Sequence, residues 1–182
     1  MSFTTGSGSG GGVSSAGVQA IIDGNQGWAQ YADGTYTSAS PLVVSQGVKV
    51  TLPNDAASVI DTYLPEGTTS FYDGTTNSIT PDKVGNGYSI RIDFDCYTTS
   101  NTGYGEISLD VGGSVGEILN IPVNFPRGTG SGNVRVFSRT SLLYSLDTFV
   151  TNGGVLSYES IRGNTSIYNI VYVIAKMSEG QS

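Results

Sequence analysis

The chain has 182 residues and carries 15 acidic against 8 basic side chains, a formal net charge of −7. It has no histidine and one cysteine, Cys96. The commonest general base and metal ligand is therefore missing, and a disulfide framework, a zinc ribbon or an iron–sulfur site has too few ligands. The acidic balance argues against a nucleic-acid partner, and no apolar run is long enough for a membrane span. Glycine is frequent, at 26 residues, and charged residues make up only 13 %. With 11 tyrosines and 6 phenylalanines, this composition fits many short strands joined by polar turns rather than a helical bundle.

The first twenty residues, MSFTTGSGSGGGVSSAGVQA, are dominated by Gly and Ser. Such a stretch buries too little to offset its ordering entropy, so residues 1–20 read as a flexible arm. No basic region followed by an apolar stretch marks a secretory signal, and synthesis in a cytoplasm is expected. Residues 21–47 read as an extended linking segment. It holds the only tryptophan, Trp28, with Tyr31 and Tyr36 nearby. Aromatics of this size need a surface to pack on, either the body of the domain or a neighbour.

From residue 48 to 182 the pattern is period two, the signature of half-buried strands. Val48, Val50 and Leu52 alternate with Lys49 and Thr51. In Ser89–Tyr97, Ile90, Ile92, Phe94 and Cys96 share one face, and Arg91, Asp93, Asp95 and Tyr97 the other. Glu106–Val111 repeats the alternation through Ile107, Leu109 and Val111. Ile118–Phe125 follows through Ile121, Val123 and Phe125. Asn133–Arg139 is expected to turn Val134 and Val136 inward. Thr148–Tyr158 and Ile167–Lys176 complete the set, the latter (IYNIVYVIAK) apolar enough for a central strand buried on both faces. Ser138–Leu146 has room for one helical turn at most. Turn signals such as Asn86-Gly87, Gly112-Gly113 and Asn152-Gly153-Gly154 separate the runs. About eight strands after residue 47 predict an all-β, antiparallel jelly-roll-type β-sandwich.

Candidate chemistry is sparse. Asp93 and Asp95 share a strand face, and Asp110 is a candidate for a neighbouring strand; paired carboxylates serve glycosidases and calcium sites. A solvated face with Arg91 as partner is the simpler reading. Cys96 falls on the apolar side of its strand and reads as a core residue. The tyrosines, among them Tyr88, Tyr97, Tyr104, Tyr144, Tyr158, Tyr168 and Tyr172, suit either a sugar-binding groove or ordinary strand and interface positions. No catalytic, cofactor-binding or metal-ligating residues are assigned. A module of this type is expected to bind or to build.

Several stretches carry a resemblance. They are Trp28–Val44 (WAQYADGTYTSASPLVV), the segments TYLPEGTTSFYDGTTNSITP and GNGYSIRIDF between residues 62 and 95, and YSLDTFVTNGG leading to the terminal IYNIVYVIAK. Together they resemble small virion structural proteins of tailed bacteriophages. The resemblance implies a jelly-roll domain on the particle, as a head decoration or cement protein bound to the major capsid protein, with other virion proteins as further partners. It also implies a homotrimer formed through flat, aromatic-rich sheet faces, and a location on the capsid surface. The alternative is a tail-fibre or head-fibre component that binds host surface glycans. On the decoration reading, Phe3, Val13, Val18, Ile21 and Ile22 are the apolar contacts of an assembly arm. Trp28, Tyr31 and Tyr36 are the anchoring or interface aromatics.

Overall fold

The computed structural model describes residues 25–125 and 128–180. Among them are twelve strands: β1 (Gly27–Ala32), β2 (Leu42–Val44), β3 (Lys49–Thr51), β4 (Ser58–Tyr63), β5 (Tyr72–Asp73), β6 (Ser78–Ile79), β7 (Gly87–Thr98), β8 (Tyr104–Asp110), β9 (Glu117–Asn124), β10 (Arg135–Tyr144), β11 (Gly154–Arg162) and β12 (Thr165–Ser178). A short helix, α1 (Asp147–Asn152), stands between β10 and β11. The strands form two six-stranded sheets with antiparallel pairing throughout. The first runs β10-β7-β12-β1-β4, with β2 also on β12; the second runs β5-β6-β11-β8-β9, with β3 also on β11. This is the jelly-roll-type sandwich that the alternation predicts.

The core lies between the sheets. In β7, Ile90, Ile92, Phe94 and Cys96 are all buried, and in β8 Ile107 and Leu109 face them from the other layer. Phe94 stacks on Phe137 of β10, with ring centroids 4.6 Å apart, and meets Tyr158 of β11 edge-on at 6.4 Å. Tyr172 crosses from the first sheet to donate its hydroxyl to the Leu52 carbonyl at 2.5 Å. Among the described residues, no buried side-chain nitrogen or oxygen lacks a hydrogen-bond partner. The buried hydroxyls therefore do not carry a desolvation cost without a compensating bond.

A bulge sets the phase of β12. Ile167 pairs with Cys96 and Tyr172 with Ile92, and the register shifts between Tyr168 and Val171. Asn169 takes a positive φ of 54° there. The extra residue lets Ile167 and Ile170, three apart, both face the core. β12 is central in pairing, with β7 on one side and β1 on the other. It is not buried on both faces as expected, because Val171, Val173 and Ala175 are only half-buried on the outer side.

Further expectations are corrected. Val134 and Val136 do not point inward; Val136 is 75 % exposed, and Phe137 is the buried residue. Phe137 brings more apolar area than either valine and finds the Phe94 ring directly opposite. A one-residue change of phase reverses every side chain of the strand. Ser138–Leu146, with room for at most one helical turn, has none, since β10 continues to Tyr144. The helical turn falls later, at α1, where Phe149 plugs the core, so the strand expected from Thr148 starts only at Gly154. Gly153 ends the helix at φ 72°, and a Cβ at Gly154 would come within 2.6 Å of the Phe149 ring. Both glycines are thus demanded by the join. Ten strands follow residue 47 rather than eight. β5 and β6 hold only two residues each, and β4 is exposed along its whole length, so none gives an amphipathic signal. The sandwich also takes in β1 and β2, ahead of the boundary expected at residue 48.

Candidate functional site

The outer face of the first sheet divides into two halves. Its upper half carries charged and polar groups beside the exposed Val136 and Val43. Asp93 pairs with Arg91 at 2.8 Å and accepts a hydrogen bond from the Ser138 hydroxyl at 2.5 Å. Asp95 accepts one from the Asn169 amide at 2.8 Å. The two carboxylates are held by separate partners. Asp110 is on β8, in the opposite sheet, where it accepts from the Gly112 N–H, so it does not join them.

The lower half is apolar. Because Ala29 and Tyr31 point inward, Trp28 points outward. The register then aligns a row across five strands: Tyr63 opposite Trp28, Trp28 opposite Ala175, Ala175 opposite Ser89, and Ser89 opposite Leu142. At ~4.8 Å per strand this row is about 19 Å wide. Trp28 and Tyr63 stack with centroids 5.1 Å apart and planes at 16°. Leu142 is 73 %, Tyr144 71 %, Tyr63 58 % and Met177 52 % exposed. Leu142, Tyr144 and Met177 line one shallow hollow of about 160 Å³. Ser89 interrupts the row between Ala175 and Leu142, so the exposed apolar groups gather at its two ends, Trp28 with Tyr63 and Leu142 with Tyr144 and Met177; large exposed apolar side chains grouped in this way mark contact sites.

Beyond Tyr144 the apolar surface turns the corner of the sandwich into a groove of about 290 Å³. Val84, Val115, Ile118, Tyr144 and Leu146 form its walls, and Phe149 lies at its base. The same end is braced from inside. Asp82 accepts hydrogen bonds from Lys176 at 3.0 Å, from Asn86 at 2.6 Å and from the Tyr88 hydroxyl. Burial opposes the charge on Asp82, but those three donors outweigh it and hold the carboxyl below its ordinary range. Burial and the same contact push the Tyr88 phenol up to about 12. Asn86 also accepts from the Gly180 N–H, and Ser145 donates to the carbonyl of Lys83.

The sequence-assigned aromatics have different fates. Trp28 faces the outer surface. Tyr31 is buried, with its hydroxyl accepting from the Phe71 N–H at 2.8 Å and bonded to Ser70. Tyr36 packs half-buried against the core, and its carbonyl accepts from Asn169 N–H. Phe3, Val13, Val18, Ile21 and Ile22 lie outside the described residues. Of the tyrosine set, Tyr88, Tyr158 and Tyr172 are core residues and Tyr144 is exposed. Cys96 is fully buried, and burial pushes its thiol up to about 12, which suits a core position. Leu142, Tyr63 and Met177 escape the sequence reading as surface residues, whereas Tyr144 is among the tyrosines it offers for an interface. The alternation from Phe137 to Leu143 carries the signal for Leu142, once the phase of β10 is set by Phe137.

No known protein family and no curated protein sequence matches the chain. Solved structures do match in fold. The PRD1 vertex protein P5 is 14 % identical, with a TM-score of 0.50 over 85 % of this chain and 98 % of that one. The Eiger TNF of S. frugiperda is 12 % identical, with a TM-score of 0.48 over 86 % and 96 %. Murine APRIL is 10 % identical, with a TM-score of 0.48 over 84 % and 99 %. At such identities the similarity is one of architecture.

Proposed function

We propose that this chain is a structural protein of a virus particle: a homotrimeric jelly-roll module that binds the assembled head of a tailed bacteriophage as a decoration or cement protein, against the major capsid protein. The observation that carries this reading is the apolar row on the outer face of the first sheet, running from Tyr63 and Trp28 to Leu142 and continuing into Met177 and Tyr144. The end of the sheet that carries Met177 and Tyr144 is tied from beneath by the Asp82–Lys176–Tyr88 cluster. The fold shared with a virion vertex protein is compatible with it.

The energetics favour an array over a single partner. A fully buried large apolar side chain contributes ~1.5–3 kcal/mol, and these residues start half-buried to three-quarters exposed. Their sum is comparable to the ~4–15 kcal/mol cost of association. One copy therefore binds weakly, and three joined copies on a repeating lattice bind tightly. The segment from Phe3 to Ile22 would extend the reach to a neighbouring subunit by strand addition.

The test is binding of the purified chain to assembled shells and to free coat subunits, with copies counted per particle. The reading predicts many copies on shells and no complex with free subunits. A few copies per particle, or equal binding to free subunits, would contradict it.

A further inference from the structure

Lys176 and Asn86 stand at one carboxylate. We propose that they join in a side-chain isopeptide bond, between Nζ of Lys176 and Cγ of Asn86, formed by the folded chain itself with Asp82 as the proton carrier. The site lies inside the domain and needs no particle, so it stands apart from the virion reading.

Three observations meet there. The first is that one carboxylate holds both reactants. Lys176 Nζ donates to Asp82 Oδ2 at 3.0 Å, and Asn86 Nδ2 donates to Asp82 Oδ1 at 2.6 Å. Strand register makes the two residues neighbours. Lys176 pairs with Tyr88, and Asn86 precedes Tyr88 by two residues, a diagonal offset of about 7–8 Å that a lysine side chain spans.

The second is that the amide is held and polarised. Asn86 is fully buried. Its side-chain oxygen accepts from the Gly180 N–H at 2.8 Å. Its backbone carbonyl accepts from the Ser145 N–H at 2.9 Å and the Ser145 hydroxyl at 3.2 Å. An N–H aimed at Oδ1 stabilises the negative charge that develops there when a nucleophile adds to Cγ.

The third is that the amine is poorly served as a cation. An ammonium has three N–H donors. Lys176 is only 5 % exposed, and among the described residues its side chain has one hydrogen-bond partner, Asp82. Handing a proton to Asp82 removes the buried charge and frees the nitrogen lone pair. The three donors around Asp82 favour its ionised form, so the neutral pair is scarce. The reaction runs once per chain, however, and the loss of ammonia keeps it from reversing.

The chemistry balances. Asp82 takes a proton from Lys176 Nζ, and the free amine adds to Asn86 Cγ. The added nitrogen gives up a second proton. The Cγ–Nδ2 bond breaks, and Nδ2, already hydrogen-bonded to Asp82 Oδ1, takes up a proton and leaves as ammonia. In sum, an alkylammonium and a primary amide become a secondary amide and an ammonium ion, with no redox change and no co-reactant. The bond ties β12 to the entrance of β7, and the ion pair of Lys176 with Asp82 is the state before it closes.

The test is the intact mass of the purified full-length chain, followed by a tryptic map. The folded chain is expected to be one ammonia lighter than its sequence. Trypsin should fail at Lys176, and the peptide Val84–Arg91 should be joined to the peptide that starts at Gly163. Lys176→Arg and Asp82→Asn are each expected at full sequence mass. The unaltered chain decides the matter even where a variant fails to fold. A folded chain that stays at full sequence mass after prolonged incubation would overturn the proposal. So would loss of water, which puts the bond on Asp82, or loss of ammonia with Lys176 still cleaved, which is ring closure of Asn86 on the Gly87 nitrogen. Simple hydrolysis of the Asn86 amide, a link between two chains, or an Asp82→Asn chain that still loses ammonia to the same linked peptides would each overturn it as well.

Discussion

Lys176 and Asp82 form an ion pair 3.0 Å long in which the lysine is only 5 % exposed and the carboxylate about one-third exposed. The lysine enters from β12, on the core side of the strand, directly beneath the surface that carries Ala175 and Met177. Its charge is tolerated because Asp82 stands at the sandwich end with two further donors, Tyr88 and Asn86.

Removing the ammonium while keeping the stem tests this brace. Lys176→Met leaves Asp82 short of its charged partner. Breaking a fully buried pair costs ~3–5 kcal/mol, and the partial exposure of Asp82 lowers the expectation to about 2–3 kcal/mol. Urea unfolding followed by Trp28 fluorescence measures it, and a loss below about 0.5 kcal/mol would mean that the pair does not hold this end.

The pH dependence follows from the same cluster and from the core phenols. Tyr88 is pushed up to about 12, and burial raises Tyr72, Tyr158 and Tyr172 as well. The folded chain thus retains protons that the unfolded chain releases near pH 10, so stability is full below pH 10 and falls as the pH rises toward 12. Asp82, Asp55 and Asp73 are held below 3.8, so their contribution is present above that value and lost as the pH falls beneath it. Absorbance titration at alkaline pH should give two classes of tyrosine, the buried class ionising only with unfolding. A single class near pH 10 in the folded protein would be incompatible with this core.

Gly105 sits against Tyr158. A Cβ there would lie 2.1 Å from the Tyr158 hydroxyl and 2.7 Å from the Glu159 carbonyl. The carbonyl belongs to the paired strand and cannot rotate away. Gly105→Ala is expected to cost about 1–3 kcal/mol through overpacking. A thermal melt unchanged from the parent protein would show that the β8–β11 pair is looser than described.

Much of this architecture is legible in the sequence, and the exceptions have physical causes. β7 and β8 are readable because both put large aliphatics on alternate positions with polar residues between them. β10 misleads because Val134 and Val136 present a credible alternation one residue out of phase with Phe137 and Leu143. Only the ring opposite, Phe94, decides between the phases, and it is some forty residues away in sequence. The apolar row is hidden for a related reason. Tyr63, Trp28, Ala175 and Leu142 come from four strands and become neighbours only through pairing register. Of these four, Trp28 alone stands out in the sequence, as the single tryptophan among glycines and polar residues.

The surface row separates stability from assembly. Leu142→Thr and Met177→Thr remove exposed apolar groups while keeping strand-compatible side chains. Each should change unfolding free energy by no more than about 0.5 kcal/mol. Binding to assembled particles should nevertheless weaken strongly, because the loss repeats at every copy. A sedimentation assay with native shells reads the difference, and undiminished binding by the double variant would move the contact elsewhere.

On the proposed function, the outer face of the first sheet is a contact surface. Hydroxyl-radical footprinting of the chain, free and on native particles, tests it most directly. Oxidation of Trp28, Tyr63, Leu142, Tyr144 and Met177 should be rapid in the free protein and strongly suppressed in the particle. Equal oxidation of these five residues in both states would contradict the account.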